Sequence, residues 1–373
     1  ISDHLSVLQT LEIPVADVRI LCLDPDYVRA GELDVHQLIT EEEHLFNAHG
    51  HPVHTIRELC APLRRDLQEL ADACEACLSL PQCPQFARTA ACTRGRRCAY
   101  FDSCFVPAAD DSILYLQQSS QKLAMHHEGI IRMADADPER IEGLRFQFAQ
   151  IMAARNGGLF VDRPALRQWL DDCVHHPITY LDFEWDTYAI PPYEGMRPFD
   201  VLCFQFSMDI ESGEGAELVH HEFLGDGDCR EAFILALLAH VPASGTILVF
   251  NMEGAEKLRL RQLARQFPQH ADALAALCAR MVDLSLPFAS GTVHHVRMHG
   301  MYSLKVLTEI FAGRSYHELD IENGMEAVRA HRMLEAGTED AAQIRAQLSA
   351  YCGMDTYAEY LLYHALRRLV GEE

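Results

Sequence analysis

ITYLDFEWDTYAIPPYEG, residues 178–195, is the stretch that decides how this chain is read. It begins as a buried strand does, with Ile178, Tyr180 and Leu181, and then sets Asp182 and Glu184 one residue apart without leaving the apolar run. Side chains of a strand alternate between faces, so the two carboxylates point the same way. Like charges at such a distance repel. A cation between them offsets that repulsion, which makes Asp182 and Glu184 candidate metal ligands.

The pattern on either side fits a sheet. After His175, His176 and Pro177 come three strand-like runs, TYLDFEW, VLCFQFSMDI and ELVHHEFL, separated by turns rich in Pro and Gly. CREAFILALLAHV has helical spacing, and GTILVF is a short, wholly apolar run of the kind buried inside a sheet. EKLRLRQLARQF, SLKVLTEIF and a long C-terminal pair read as helices. Three strands, a helix, a buried strand and further helices predict an α/β fold, a mixed sheet flanked by helices in the ribonuclease H manner.

Two cations that cleave a phosphate ester sit about 3.5–4 Å apart and need carboxylates from several elements. Behind GTILVF stands NMEGAEK, with Glu253 and Glu256 both at a helix start, where the dipole also favours acidic residues. In the last helical run Tyr351 and Asp355 are four apart and share a face. Lys305, in GMYSLKVLTEIF, opens a helix between these elements and is a candidate phosphate contact, with a solvated helix lysine as the plainer alternative. Asp283 reads as a cap or turn residue. The paired histidines at 175–176, 220–221 and 294–295 lack metal-ligand spacing and read as turn and surface residues, with His294, His295 and His299 as a candidate substrate contact.

Asp-x-Glu on a first strand, an acid after a later strand and Tyr-x-x-x-Asp on a late helix resemble the DEDDy exonucleases, DnaQ-like enzymes with a ribonuclease H-like fold. More of the chain is similar to an uncharacterised bacterial family that carries this nuclease at its C-terminus. YLDFEWDTYAIPPYEGMRPFDVLCFQFSM, VFNMEGAEKLRLRQLA, RMVDLSLPF, MYSLKVL and YCGMDT carry that likeness, over roughly 150–373. The resemblance implies a two-metal-ion 3′–5′ exonuclease acting on DNA, with RNA as second substrate, and using two Mg²⁺ or Mn²⁺ ions. It implies Asp182, Glu184 and Asp355 as metal ligands and Tyr351 to orient the attacking water; Asn251 joins Lys305 as a candidate substrate contact. The departure is at the second acidic position, where the family has Asp four residues after an Asn; here Asn251 plus four is Ala255. Glu256 best fits the run that follows, with Glu253 as the second option. The rival reading is a catalytically weakened nucleic-acid-binding or scaffolding protein.

Cysteines supply a second constellation. Seven of the 13 (Cys60, Cys74, Cys77, Cys83, Cys92, Cys98, Cys104) fall in one Arg- and Pro-rich stretch, and CTRGRRCAYFDSC spaces Cys92, Cys98 and Cys104 evenly. Thiolates so close in a reducing compartment hold zinc or an iron–sulfur cluster. In the family just named, a RecB-type nuclease ending in such a cluster precedes the exonuclease domain, which implies a 4Fe–4S cluster; Zn²⁺ is the alternative. VRILCLDPDYVRAGELDVHQLI resembles the closing segment of that nuclease. The first cluster ligand would then lie upstream of Ile1, and otherwise Cys60, Cys74, Cys77 or Cys83 would complete the set. The chain also opens at Ile1 in mid-pattern, as a fragment of a longer protein would, or one trimmed of a tag or leader.

These readings divide the chain into a RecB-type remnant (1–59), a Cys-rich metal module (60–110), a helical connector (111–174) and the ribonuclease H-like domain (175–373). A net charge of −24 argues against gripping nucleic acid by bulk electrostatics. It is compatible with phosphates held through cations on the protein's own carboxylates. No run approaches the ~18 apolar residues of a membrane helix, and no secretory leader is visible, so a cytoplasmic protein is expected.

Overall fold

The computed structural model describes residues 1–47, 51–63, 66–82, 87–92, 98–317 and 319–371. It has two compact units: residues 1–87 together with 188–199, and residues 88–187 together with 200–373. These do not follow the four segments read from composition. The division falls inside 60–110, and 188–199, within the expected nuclease domain, belongs with the N-terminal unit.

In the N-terminal unit, helix Ser2–Thr10 packs Leu5 against Ile56 and Cys60. Strand Ile20–Leu23 pairs antiparallel with Ile39–Glu42, and His44–Phe46 with Pro52–Thr55. The 188–199 excursion joins through backbone: Arg29 N–H donates to Met196 O (3.0 Å) and Gly195 N–H to Arg29 O (2.8 Å). Arg29 also donates to the carbonyls of Pro191 and Pro192. Helix Leu67–Leu78 buries no residue.

The larger unit is built on a five-stranded mixed sheet: β1 (Ile178–Thr187), β2 (Val201–Glu211), β3 (Val219–Leu224), β4 (Thr246–Val249) and β5 (Met281–Asp283). Spatial order is β5-β4-β1-β2-β3. β1, β2 and β3 form an antiparallel meander, while β4 runs parallel to β1 and β5 parallel to β4. Four of the five were legible as apolar or alternating runs; the three-residue edge strand β5 was not read from the sequence. The start of β4 is set by Gly245, at φ +89°, where a Cβ would stand 2.0 Å from the Pro177 carbonyl. The close approach lets Thr246 N–H reach that carbonyl at 3.1 Å.

Strand alternation sorts the two faces of β1. Leu181 and Phe183 enter a core with Phe233, Ile234 and Leu237 of helix α1 (Arg230–His240) and Leu260 and Leu263 of α2 (Glu256–Gln266). Tyr180, Asp182, Glu184 and Asp186 take the other face. There the 30-residue helix α5 (Ala341–Val370) lies against the sheet, with the Tyr180 ring edge-on to Tyr360. Helices α3 (Leu304–Ala312) and α4 (Gly324–Glu335) flank α5.

The expected connector over 111–174 is less helical than its spacing predicts. ILYLQQSSQKLAM forms a short turn at Ile113–Tyr115 and a helix at Lys122–His127; between them Gln118 sits at φ +52°, which no helix continues through. Arg145–Arg155 and Arg163–Cys173 are helices as read. Between them Leu159–Val161 pairs with Val293–His295, a long-range strand pair that local spacing does not reveal. Among the described residues no helix is long and apolar enough to cross a membrane.

Candidate metal centre

β1 and α5 bring three carboxylates together. Ligand oxygens of Asp182, Glu184 and Asp355 lie mutually within 4.8 Å, and among the described residues no other group of three His, Cys, Asp or Glu does so. Asp182 is half-buried, while Glu184 and Asp355 are buried. They line a cavity of about 400 Å³ together with Glu256, Tyr351, Trp185, Phe250, Leu304 and Met325. Its floor is acidic and its walls are largely apolar.

Each acid is held by its element. Tyr351, Asp355 and Glu359 recur every four residues along one face of α5. Asp355 accepts from Tyr316 Oη at 2.7 Å and from the Tyr351 hydroxyl. Lys305, at the start of α3, donates to Tyr351 Oη at 3.3 Å and to the Glu322 carbonyl. Its ammonium stands 4.9 Å from the ring centres of both Tyr316 and Tyr351. Two aromatic faces thus cradle the cation nearest the acids. Cys352, next along α5, places Sγ 3.6 Å from Asp182 Oδ2.

Glu256 reaches the cavity through a tight loop. Asn251 adopts φ +63°, and Asp283 accepts the backbone N–H groups of Asn251 (3.1 Å), Met252 (3.0 Å) and Ser285 (2.9 Å). Asp283 is therefore the turn residue its sequence context indicated. α2 then starts with Glu256 as its first residue, 2% exposed, with Oε2 buried and unpartnered among the described residues. Glu253, the other option, is exposed and ion-paired with Lys257 (2.6 Å) and Arg261 (2.9 Å). Asn251 is exposed and does not line the cavity.

Burial first, and mutual repulsion second, set the electrostatics of these acids. Burial and the charges of Asp355, Glu256 and Glu184 push the Asp182 carboxyl well above its ordinary value. Burial, then Asp355, raises Glu184 to about 8, with Lys305 opposing. Burial raises Asp355 to about 6, held down by the Tyr316 hydrogen bond and by Lys305. Glu256 is raised well above its usual range by burial, then by Asp283 and Glu184. By contrast Asp186, on the same face of β1, accepts two hydrogen bonds from Arg332 of α4, at 2.7 and 2.8 Å. One strand thus carries a carboxylate neutralised by an arginine and two that share a focus with no ion pair to a side chain among the described residues.

The cysteines are not gathered. Cys92, on a short turn, accepts from Thr89 N–H and lies 3.6 Å from the Thr89 hydroxyl; Cys98 and Cys104 are exposed. These three form no mutually close set, nor do Cys60, Cys74 and Cys77; Cys83 lies outside the described residues. Turns and a four-residue helix without a buried residue give the sulfurs no rigid common focus.

Of the paired histidines, His175, His176 and His220 are exposed as read and His221 is half-buried. His294 departs from the surface reading: it is fully buried, neither ring nitrogen is hydrogen-bonded among the described residues, and burial lowers it to about 4. His299 stacks on Tyr115 at 4.1 Å and bonds Asp110 at 2.7 Å. His294, His295 and His299 do not line the cavity. Sequence reasoning also missed Tyr316, which no spacing rule links to Asp355. Glu359 was missed too, although its fourfold spacing after Asp355 was a readable signal.

No curated protein and no solved structure matches the chain. A family model described as a domain of unknown function (DUF2779) matches residues 179–303, about a third of the chain, a span that holds Asp182, Glu184 and Glu256 and stops short of Lys305, Tyr351 and Asp355.

Proposed function

We propose that this chain is a metal-dependent nuclease with a ribonuclease H-like catalytic domain of the DEDDy type, removing nucleotides from the 3′ end of DNA, with RNA as second substrate. The observation that carries the reading is the convergence of Asp182, Glu184 and Asp355 from two elements within 4.8 Å. The sheet, an antiparallel meander followed by a helix and a parallel strand, supports the fold assignment.

The donor set fits hard divalent cations. All the oxygens are carboxylate, as Mg²⁺ and Mn²⁺ prefer, and burial first, then the neighbouring acids, raises the Asp182 and Glu184 carboxyls. Asp182, Glu184 and Asp355 would hold the ions, with Glu256 offering its unpartnered oxygen. When bound, such ions lower the pKa of a water and stabilise charge on the attacking and leaving oxygens. Tyr351 stands between Lys305, which donates to it, and Asp355, which accepts from it. That tether fixes its hydroxyl at the cavity, where it orients the attacking water. Lys305 supplies positive charge for the phosphate, and the apolar wall receives the nucleoside.

One observation favours the weaker reading, a nucleic-acid-binding or scaffolding protein: Glu256 stands outside the mutually close triad. The deciding experiment incubates 5′-labelled single-stranded DNA and RNA with Mn²⁺ or Mg²⁺, comparing wild type with Asp182→Ala. A ladder shortening from the 3′ end that vanishes in the variant supports the nuclease. No product from either strand with folded protein, together with poor Mn²⁺ binding, supports the scaffold.

A further inference from the structure

We infer that Glu359 is a positioning residue of the acidic site, holding Asp182 through the backbone of its neighbour Leu181; the inference rests on the cation-binding reading above. Pairing of β1 with β4 ends at Tyr180, opposite Leu248. The next residue, Leu181, is fully buried, and its N–H donates to Glu359 Oε2 at 3.1 Å. A buried amide must find an acceptor. Glu359 supplies it where the strand ladder stops, one residue before Asp182.

The choice of residue is costly, which is why it is informative. Glu359 has no exposed surface, no cation beside it among the described residues, and a second oxygen, Oε1, without a partner. It shares its field with Glu256 and Asp355. Packing alone would favour an apolar side chain here. On α5 Glu359 follows Asp355 by one turn, so a single helix face presents Asp355 directly and fixes Asp182 indirectly. Partners that orient metal ligands typically change metal affinity ~10–100-fold when lost.

Two mild variants separate the hydrogen bond from the charge. Glu359→Gln keeps an acceptor for Leu181 N–H and loses the charge. Glu359→Asp keeps the charge and, one methylene shorter, withdraws from the amide. Each is compared with wild-type full chain by Mn²⁺ titration, followed by electron paramagnetic resonance. Hydrogen exchange of the peptide containing Leu181 is measured alongside, in metal-free protein. Glu359→Gln is expected to bind Mn²⁺ within about threefold of wild type with unchanged exchange, and Glu359→Asp to bind ~10-fold more weakly with faster exchange. Wild-type behaviour of Glu359→Asp, or equal loss in both variants, overturns the proposal. If wild type binds no Mn²⁺, the cation reading fails, and the exchange comparison alone decides whether Glu359 anchors the strand.

Discussion

The larger unit contains two clusters of ligand-type side chains, and they ended differently. Asp182, Glu184 and Asp355 are 173 residues apart at their extremes yet converge, because a central strand and a 30-residue helix bury their flanks and leave the acids one common focus. Cys92, Cys98 and Cys104 fit within 13 residues and do not converge. Cys92 ends a three-residue turn and Cys104 a four-residue helix, and neither element buries a residue. Nearness in sequence brings ligands together only where something rigid aims them; burial of the supporting elements does that at long range.

The sharpest way to break this contrast is activity. Asp182→Ala and Asp355→Ala should each lower metal-dependent hydrolysis on the order of 10³-fold. The triple change Cys92→Ser, Cys98→Ser, Cys104→Ser should leave it within about twofold. Equal losses, or release of iron or zinc on making the serine variant, would show that the sulfurs do gather around a metal.

Stability sharpens it further. Glu184 rises from 4.5 to about 8 and Asp355 from 3.8 to about 6, so between these limits the folded, metal-free chain holds protons that the unfolded chain releases. Its stability should therefore fall as pH rises from about 4 to 8, by up to ~1.4 kcal/mol per pH unit for each full proton. Saturating Mn²⁺ should flatten that slope in urea titrations. Asp182→Asn should stabilise the metal-free protein by ~0.5–2 kcal/mol, since it removes one of the buried, mutually repelling carboxylates. A metal-free protein most stable at pH 8 would sink this account.

Smaller effects test the surroundings. Tyr316→Phe removes the hydroxyl that holds the Asp355 carboxyl down. Mn²⁺ affinity should drop up to ~10-fold, more at pH 6 than at pH 8, because protons then compete better for Asp355. Glu253→Ala should leave Mn²⁺ affinity unchanged, its charge being spent on Lys257 and Arg261; isothermal titration would detect a departure.

What could be read in advance was whatever obeys a short period. Asp182 and Glu184 followed the twofold repeat of a strand, Tyr351 and Asp355 the turn of a helix, and four of the five strands their apolar runs; β5, three residues long, was too short to show one. Glu256 was preferred to Glu253 from the helix that follows it, and the burial of one and the ion pairs of the other agree with that order. Tyr316 reaches Asp355 from 39 residues away, and Leu159–Val161 finds Val293–His295 across a longer gap. Neither contact leaves a periodic trace. The same holds for the excursion over 188–199 and for His294, whose burial comes from that distant strand pair. In 113–125, helical spacing was present and one left-handed residue, Gln118, overrode it.

Helix α5 also sets how this sequence can change over generations. Tyr351, Asp355 and Glu359 share one face of a continuous rod. A single codon inserted between Tyr351 and Asp355 would swing everything beyond it by about 100° around the axis, and part the hydroxyl from the carboxylate it touches. Seven inserted codons, two turns, would restore the phase to about 20° but displace the face along the sheet. The turn between β2 and β3, by contrast, can lengthen by one residue at a time. Drift in length should therefore collect in that turn, and α5 should vary by substitution alone.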